Sequence, residues 1–242
     1  MDQILTIPQR INFYNCDRNR DLSLRSYLEW CGEMGNLHLE QIGLTWERMQ
    51  TERQAFLLSR VGYHRLAPVQ YGEQCRFHTW IGGIKGPLFL RNFSLEKADG
   101  STAIESTSGW MLVDPVERKI LRPSQFKHEH PAYDRPVDAQ LIRFRLSELP
   151  ELGRHTVLPS QIDTNGHMGN QFYADLLANY APDGLGIRVI DRAQLVFDHE
   201  AIEGEEITLY GQRTDACSYE MYGVLPSGRK CFEAQVTVAP AE

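Results

Sequence analysis

Three polar residues of different chemistry alternate along one short stretch of the chain. Residues 163–170 read DTNGHMGN, so Asp163, Asn165 and His167 occupy alternate positions, and Asn170 follows just beyond. A carboxylate and an imidazole can transfer protons at neutral pH. An apolar pattern typical of a helix follows, and the first N–H groups of a helix are unpaired and carry the positive end of its dipole. The stretch therefore predicts acid–base chemistry beside a site that can stabilise an oxyanion.

The same stretch also has a plain structural explanation. Asp, Asn and Gly are the commonest turn residues, so DTNGHMGN can be a turn that caps the following helix. Gly166 and Gly169 suit a turn, and they would also let a substrate carbonyl approach the backbone closely. The motif alone does not decide between the two interpretations.

Two segments with helical periodicity are each followed by several strand-like runs. The first helix is predicted to start near Ser23, a suitable N-cap. The second is predicted to start near Asn170 and to stop by Pro182, because proline breaks a helix. The apolar face of the first comprises Leu24, Tyr27, Leu28, Cys31, Met34 and His38, and that of the second comprises Phe172, Tyr173, Leu176, Leu177 and Tyr180. Alternating runs such as EQCRFHTWIG after the first helix and EEITLYGQR after the second predict strands.

The order of one strand, one helix and several strands occurs twice, and individual residues recur with it. Asp17, Asn19, Asp21, Leu24 and Tyr27 lie 146 positions before Asp163, Asn165, His167, Asn170 and Tyr173. Further on, Gly72-Glu73 corresponds to Gly204-Glu205 at an offset of 132, which places Pro68 opposite Glu200. The second copy alone has the histidine and the glutamate, so catalysis is predicted in that copy only.

A proline-rich connector divides the copies. RPSQFKHEHPAYDRPVDAQ lies between them, and such composition is typical of a segment that wraps from one unit to the next. We therefore predict an N-terminal, non-catalytic domain at 1–130 and a domain at 131–242 that contains the connector and the catalytic copy. His128-Glu129-His130 in the connector resembles a metal-ligand pair, but no third ligand is evident, so a solvated loop is favoured and no metal is predicted.

Composition narrows the class of protein. The 242 residues are 42% hydrophobic and 24% charged, which is ordinary for a globular chain with a core. A net charge of −7 argues against a general nucleic-acid binder. Up to Pro136 basic residues exceed acidic ones by one, and from Val137 they fall short by eight, so the N-terminal half is the better surface for an acidic partner. No membrane span or secretory signal is visible, and five scattered cysteines suit a reducing cytoplasm.

With these motifs together, the sequence resembles the plant and bacterial acyl-acyl-carrier-protein (acyl-ACP) thioesterases. DTNGHMGN resembles their D-x-N-x-H-x-x-N signature, and FHTWIGG, PLFLRNFSLEKADG and STSGWMLVD resemble their N-terminal strands. The likeness runs from about Ile11 to Val238. It implies an α+β fold, a tandem hot-dog in which each repeat wraps a curved antiparallel sheet round a long helix. It also implies the catalytic residues Asp163, Asn165, His167 and Glu200.

The resemblance implies an activity and a set of contacts. The activity is hydrolysis of a fatty acyl-ACP to a free fatty acid without a cofactor, by water that a carboxylate and His167 assist at the start of a helix. Gly169 and Asn170 would bind the reacting group there. The acyl tunnel would be lined by three residues of the first helix that also belong to the core, namely Tyr27, Trp30 and Met34. The basic cluster would dock the acidic carrier or be a plain surface, namely Arg118, Lys119, Arg122 and Lys127.

Two departures from the family pattern stand beside several open alternatives. Ala201 occupies a position where many plant members have cysteine, and Gly169-Asn170 replaces a doublet of asparagines. Either Asp163 or Glu200 can be the base, and a carboxylate nucleophile is the lesser option. An acyl-CoA thioesterase and a non-catalytic acyl-binding module are the rival functions. A hot-dog hydratase fits less well, because its D-x-N-P-x-H motif has one more residue before the histidine. Chain-length preference and oligomeric state stay open, with a homodimer as one option.

Overall fold

Eleven strands and three helices make up the chain, which a computed structural model describes for residues 3–240. The helices are α1 (Leu24–Gln41), α2 (Trp46–Thr51) and α3 (Phe172–Asn179). The strands of the N-terminal repeat are β1 (Ile4–Arg10), β2 (Ala55–Arg65), β3 (Gln74–Lys85), β4 (Leu88–Lys97), β5 (Thr102–Asp114) and β6 (Lys119–Ile120). Those of the C-terminal repeat are β7 (Glu151–Thr156), β8 (Ile190–Phe197), β9 (Glu206–Arg213), β10 (Ser218–Val224) and β11 (Lys230–Val238). Each predicted strand-like run is a strand, and the class is α+β as expected.

All of the strands belong to one antiparallel sheet whose order is symmetric. The order is β1-β3-β4-β5-β2-β8-β11-β10-β9-β7, with β6 paired to β5. Each repeat contributes five of these strands in mirrored order, and the repeats join where β2 pairs with β8. In that pairing Gly62 lies opposite Gln194, and these two positions are 132 apart in sequence. The sheet therefore has an approximate two-fold axis through this pair.

Backbone hydrogen bonds confirm the internal repeat at both predicted offsets. The N–H of Leu22 donates to the carbonyl of Val69 at 2.8 Å. In the second copy, the N–H of Met168 donates to the carbonyl of Ala201 at the same distance. Leu22 precedes Met168 by 146 positions and Val69 precedes Ala201 by 132. The same hydrogen bond thus joins the turn before the helix to the segment after β2 in the first copy and after β8 in the second.

The two core helices differ in length. Helix α1 has 18 residues and is about 27 Å long, and its predicted N-cap is correct, since the Ser23 hydroxyl accepts the N–H of Ser26 at 3.2 Å. Helix α3 has only eight residues and begins at Phe172, two residues after the predicted start. The N–H of Phe172 bonds the carbonyl of Gly169, which is a turn contact rather than a helical one. The expectation of a long helix therefore holds for the first repeat only.

One hydrophobic core is shared by both repeats and contains the buried faces of α1 and α3. The buried face of α1 and that of α3 pack in the same cluster with inward residues of the strands. This cluster includes Leu28, Met34, Leu176, Leu177 and Leu195. A shared core makes the two helices and the sheet one packed unit, which holds the turn before each helix in place.

The connector crosses the sheet closely at its centre. Between β6 and β7 the only regular element is a 3₁₀ turn at Pro123–Gln125. A Cβ atom on Gly62 would lie 2.8 Å from the carbonyl oxygen of Gln140 and 3.1 Å from that of Ala139. Glycine is required there because the connector backbone passes directly over β2.

The division at residues 1–130 and 131–242 stays a prediction. Within residues 3–240 no helix is both long and apolar enough to span a bilayer.

Candidate active site

Asp163 organises the turn that carries the predicted catalytic residues. Its Oδ1 accepts the backbone N–H of Asn165 at 2.8 Å and that of His167 at 3.4 Å. Its own N–H donates to the carbonyl of His167 at 2.8 Å, and Gly166 supplies the positive φ of 82° that the turn requires. The carboxylate of Asp163 thus faces its own backbone, as the turn interpretation predicts.

The first copy forms the same turn with Asp21 in place of His167. Oδ1 of Asp17 accepts the N–H of Asn19 at 2.7 Å and that of Asp21 at 3.3 Å. Arg20 takes the position of Gly166, with a φ of 65°. The turn is therefore a structural property of both copies, and whatever chemistry the second copy performs depends on the side chains that it adds.

His167 and Glu200 lie side by side, although 33 positions separate them in sequence. The Nε2 atom of His167 is 3.1 Å from Oε2 of Glu200. Glu200 follows β8, and the bond between Met168 and Ala201 holds this segment against the turn. The side chains are 23% and 29% exposed, respectively. Both groups are accessible to water and close enough to share a proton.

A third side chain contacts the same carboxylate, and the sequence predicts a different role for it. The guanidinium of Arg118, in the N-terminal repeat, donates from Nη2 to Oε2 of Glu200. The sequence predicts Arg118 in the carrier-docking cluster. No motif or spacing connects two residues 82 positions apart, so only the fold could place it at the site.

The segment before α3 offers two backbone donors. Within residues 3–240, the N–H groups of Asn170 and Gln171 have no hydrogen-bond acceptor. The N–H of Gly169 is already bonded to the carbonyl of Gln161 at 2.9 Å. The Gln171 side chain also lies over Gly169, where a Cβ atom would be 2.7 Å from Oε1 of Gln171. The backbone N–H groups that are free to bind a ligand are therefore those of Asn170 and Gln171. The N–H of Gly169, the other residue predicted to bind the reacting group, is already bonded.

The three residues predicted to line an acyl tunnel lie in or beside the core on α1. Tyr27 is fully buried, its hydroxyl lies 2.9 Å from that of Ser106, and burial raises the pKa of the phenol well above its usual value. Met34 is buried as well. Trp30 is half-buried and packs edge-on against Phe77. The core interpretation accounts for all three, and their contact with an acyl chain stays a prediction.

The remaining basic residues of the cluster lie on the surface. Lys119 pairs with Glu117 at 2.9 Å, and Nζ of Lys127 donates to the carbonyl of Glu52 at 3.2 Å. The side chain of Arg122 is exposed. With Arg118 engaged at Glu200, we define the docking cluster from here on as Lys119, Arg122 and Lys127.

The histidines of the connector form protein contacts instead of a metal site. Nε2 of His128 lies 2.6 Å from a carboxylate oxygen of Glu52. His130 packs edge-on against Phe89, and its burial lowers the pKa of the imidazole to about 4. Across residues 3–240 no group of three or more His, Cys, Asp or Glu residues is arranged to hold a metal ion.

Sequence comparison assigns the family. Residues 8–125 match the family model described as the acyl-ACP thioesterase N-terminal domain. The N-terminal repeat belongs to the acyl-ACP thioesterase N-terminal domain family. The predicted family and the predicted enzyme class, a thioester hydrolase, are thereby confirmed. No curated protein sequence matches the chain.

Solved structures share the fold over nearly the whole chain. The acyl-ACP thioesterase from Bacteroides thetaiotaomicron superimposes with a TM-score of 0.85 at 17% identity and covers 98% of each chain. The 12:0-ACP thioesterase from Umbellularia californica gives a TM-score of 0.84 at 15% identity and covers 100% of this chain and 99% of the other. At such identities the likeness establishes the fold, and the expected tandem hot-dog is confirmed.

A protein of another reaction class has part of the same architecture. A MaoC-like dehydratase from Phytophthora capsici superimposes with a TM-score of 0.52 at 13% identity, over 77% of this chain and 72% of that chain. The fold by itself therefore does not select hydrolysis, and the side chains of the acyl-ACP thioesterase site must carry that argument.

Proposed function

We propose that this acyl-ACP thioesterase family member hydrolyses fatty acyl-ACP, with water attacking the thioester carbonyl beside Glu200 and His167. The observation that carries the proposal is the 3.1 Å contact between these two side chains, which the first repeat lacks. It supports a proton network on the one copy whose turn ends in a histidine.

Glu200 is the better candidate for the general base. Asp163 directs Oδ1 to two backbone N–H groups of its own turn, and Oδ2 lies 3.4 Å from the side-chain amide of Asn165. A carboxylate that holds a turn is poorly placed to take a proton from water. Oε1 of Glu200 has no hydrogen-bond partner among the described residues. That oxygen is free to accept a proton from the attacking water.

The reaction can then proceed in two proton transfers. Glu200 takes a proton from water as the oxygen bonds to the carbonyl carbon, and the negative charge moves to the carbonyl oxygen. The backbone N–H groups of Asn170 and Gln171 are suited to stabilise this oxyanion. When the C–S bond breaks, the thiolate leaves readily and takes a proton through His167, releasing carrier thiol and fatty acid. Asn165 is assigned to orient the water or the carbonyl.

The carrier reaches the site over the N-terminal repeat in this proposal. The docking cluster of Lys119, Arg122 and Lys127 lies on the chain segment that follows Arg118, and the acidic carrier would complement it. Tyr27, Trp30 and Met34 are assigned to the wall of the acyl-binding region. No step requires a metal or an organic cofactor.

One experiment tests activity, carrier and chain length together. Thiol release is measured with saturated acyl-ACPs from 8 to 18 carbons (about the natural range) and with acyl-CoAs of the same lengths. We expect turnover with acyl-ACP, a maximum at one length and a lower kcat/KM with acyl-CoA. Higher kcat/KM with acyl-CoA would identify the carrier as coenzyme A. Binding of acyl-ACP without thiol release would identify an acyl-binding module and end the proposal.

A further inference from the structure

The turn between β5 and β6 is held rigidly by a network of its own. Oδ1 of Asp114 accepts the backbone N–H groups of Val116 and Glu117, both at 2.9 Å. Nη2 of Arg53 lies 2.9 Å from Oδ2 of Asp114 and 3.0 Å from Oε1 of Glu117. Arg118 closes this turn in the left-handed region, with a φ of 52°. The network determines the direction in which the Arg118 side chain leaves the N-terminal repeat.

In this direction the Arg118 side chain reaches the carboxylate of Glu200 in the C-terminal repeat. Arg118 and His167 both contact Oε2 of Glu200, and Oε1 is left without a partner in the described part of the chain. The guanidinium of Arg118 donates to Oε2, and the imidazole of His167 lies against the same oxygen, so both restrict rotation of the carboxylate about its last bond. The free oxygen is thereby kept available for the water.

We propose that Arg118 is a positioning residue for Glu200, supplied by the repeat that lacks its own catalytic pair. The inference rests on the proposed function, because it assumes that Glu200 is the base. Exposed ion pairs contribute little to folding stability, and Arg118 is 71% exposed. Its effect is therefore expected on the rate of hydrolysis rather than on the melting temperature.

Positioning and docking predict different kinetics for Arg118. A docking residue acts on encounter with the carrier, so its loss raises KM for acyl-ACP and spares a carrier-free thioester. A positioning residue acts on the bound substrate, so its loss lowers kcat for acyl-ACP and for an acyl-N-acetylcysteamine thioester by the same factor. Arg76 on β3 is the matched control, because it is an exposed arginine of the same repeat whose Nη2 contacts a carboxylate oxygen of Glu96 rather than of Glu200.

The decisive measurement is a double-mutant cycle on kcat at saturating acyl-ACP, using Arg118→Ala, Glu200→Gln and the double variant. Arg118→Ala is expected to lower kcat about tenfold, within the usual coupling between contacting residues. In the Glu200→Gln background the same change is expected to have no further effect. Arg118→Lys should recover part of the loss, and Arg76→Ala should keep the wild-type kcat.

The first three results that would overturn the inference leave the proposed function intact. They are an unchanged kcat in Arg118→Ala, a loss confined to KM for acyl-ACP, and an equal loss of kcat with and without the Glu200 carboxylate. An increase in kcat would show that Arg118 restrains Glu200 and would also overturn it. A wild-type protein without thiol release would instead remove the proposed function itself.

Discussion

Asp21 and Arg65 form a two-point ion pair at the position that holds His167 in the second repeat. Oδ2 of Asp21 lies 2.5 Å from Nη2 of Arg65, and Oδ1 lies 3.2 Å from Nε. Asp21 is buried, and Arg65 also contacts Asp191 at 2.9 Å. The two copies thus use one backbone turn for different purposes. The first copy supports the fold with it, and the second presents a histidine to a glutamate.

Arg65→Ala is therefore expected to destabilise the protein without removing the proposed catalytic groups. The substitution leaves the buried Asp21 and the half-buried Asp191 without their cation. Breaking a buried pair by removing one partner costs about 3 kcal/mol or more in free energy of unfolding. Urea denaturation followed by circular dichroism measures this loss. Arg192→Ala is the control, because Arg192 is exposed and lies 3.6 Å from an exposed Asp138; a loss as small as that of the control would contradict a structural role for Arg65.

His167→Ala and Glu200→Gln should each reduce turnover of acyl-ACP by roughly 10²–10⁴-fold, the usual size of a general acid–base contribution. Each substitution removes one of the two side chains that form the contact between His167 and Glu200. Thiol release at saturating substrate measures kcat. His199→Ala provides the control, since His199 is adjacent in sequence but its Nδ1 lies 3.1 Å from the carbonyl of Lys230. Near-wild-type turnover in both catalytic variants would refute the assignment.

Asp163→Asn should keep the turn and reduce the rate of hydrolysis less than Glu200→Gln does. The amide keeps one oxygen that can accept the N–H groups of Asn165 and His167, so the turn can still form. We expect kcat to fall by less than in Glu200→Gln, by about tenfold at most. Steady-state kinetics on the two variants side by side settle which carboxylate is the base. A larger loss in Asp163→Asn than in Glu200→Gln would transfer that role to Asp163.

Glu233 should make stability depend on pH. Burial raises the pKa of its carboxyl, but hydrogen bonds from Lys230, the N–H of Leu146 and Arg145 outweigh burial, so the pKa is lower than its usual value of 4.5. A lowered folded pKa means that the ionised form stabilises the fold above pH 4.5, and that this contribution is lost as the pH falls through the folded pKa.

The comparison of wild type with Glu233→Gln isolates this contribution. At pH 7 we expect the variant to be less stable by about 3 kcal/mol, because Lys230 and Arg145 lose their buried partner. The difference should shrink as the pH is lowered from 5 to 3. Urea denaturation at each pH gives both values, and a difference that stays constant over this interval would exclude titration of Glu233 as the cause.

Docking of the carrier should depend on salt through the docking cluster. Exposed charges are screened at high ionic strength, so KM for acyl-ACP should rise between low salt and about 0.5 M salt, where the Debye length is only about 4 Å. Lys119→Glu and Arg122→Glu should raise KM at low salt while kcat stays unchanged. Arg229→Glu changes the net charge equally on an exposed turn of the other repeat and serves as the control. A KM that is insensitive to salt would exclude electrostatic docking.

Much of this structure could be predicted from local patterns in the sequence. Alternation of polar and apolar residues predicted the four long strands that follow the core helix in each repeat, and Ser23 marked the start of α1, because periodicity and capping act over a few neighbouring residues. The offsets of 146 and 132 identified the repeat, and the shared hydrogen bonds of Leu22 and Met168 confirm it. The pairing of His167 with Glu200 followed from the family resemblance and not from any local pattern.

Only the tertiary structure could decide which charged groups meet. The join of β2 to β8 and the direction of the turn after β5 bring Arg118 to Glu200, and neither is visible in the periodicity of one strand. The short α3 and the binding of the Asp163 carboxylate to the backbone of its own turn likewise depend on contacts that a motif does not specify. Sequence alone therefore determined the elements, the duplication and the residue types of the site. Their distances and partners were decided by packing, because contacts between residues far apart in the chain form only when the sheet and the core come together.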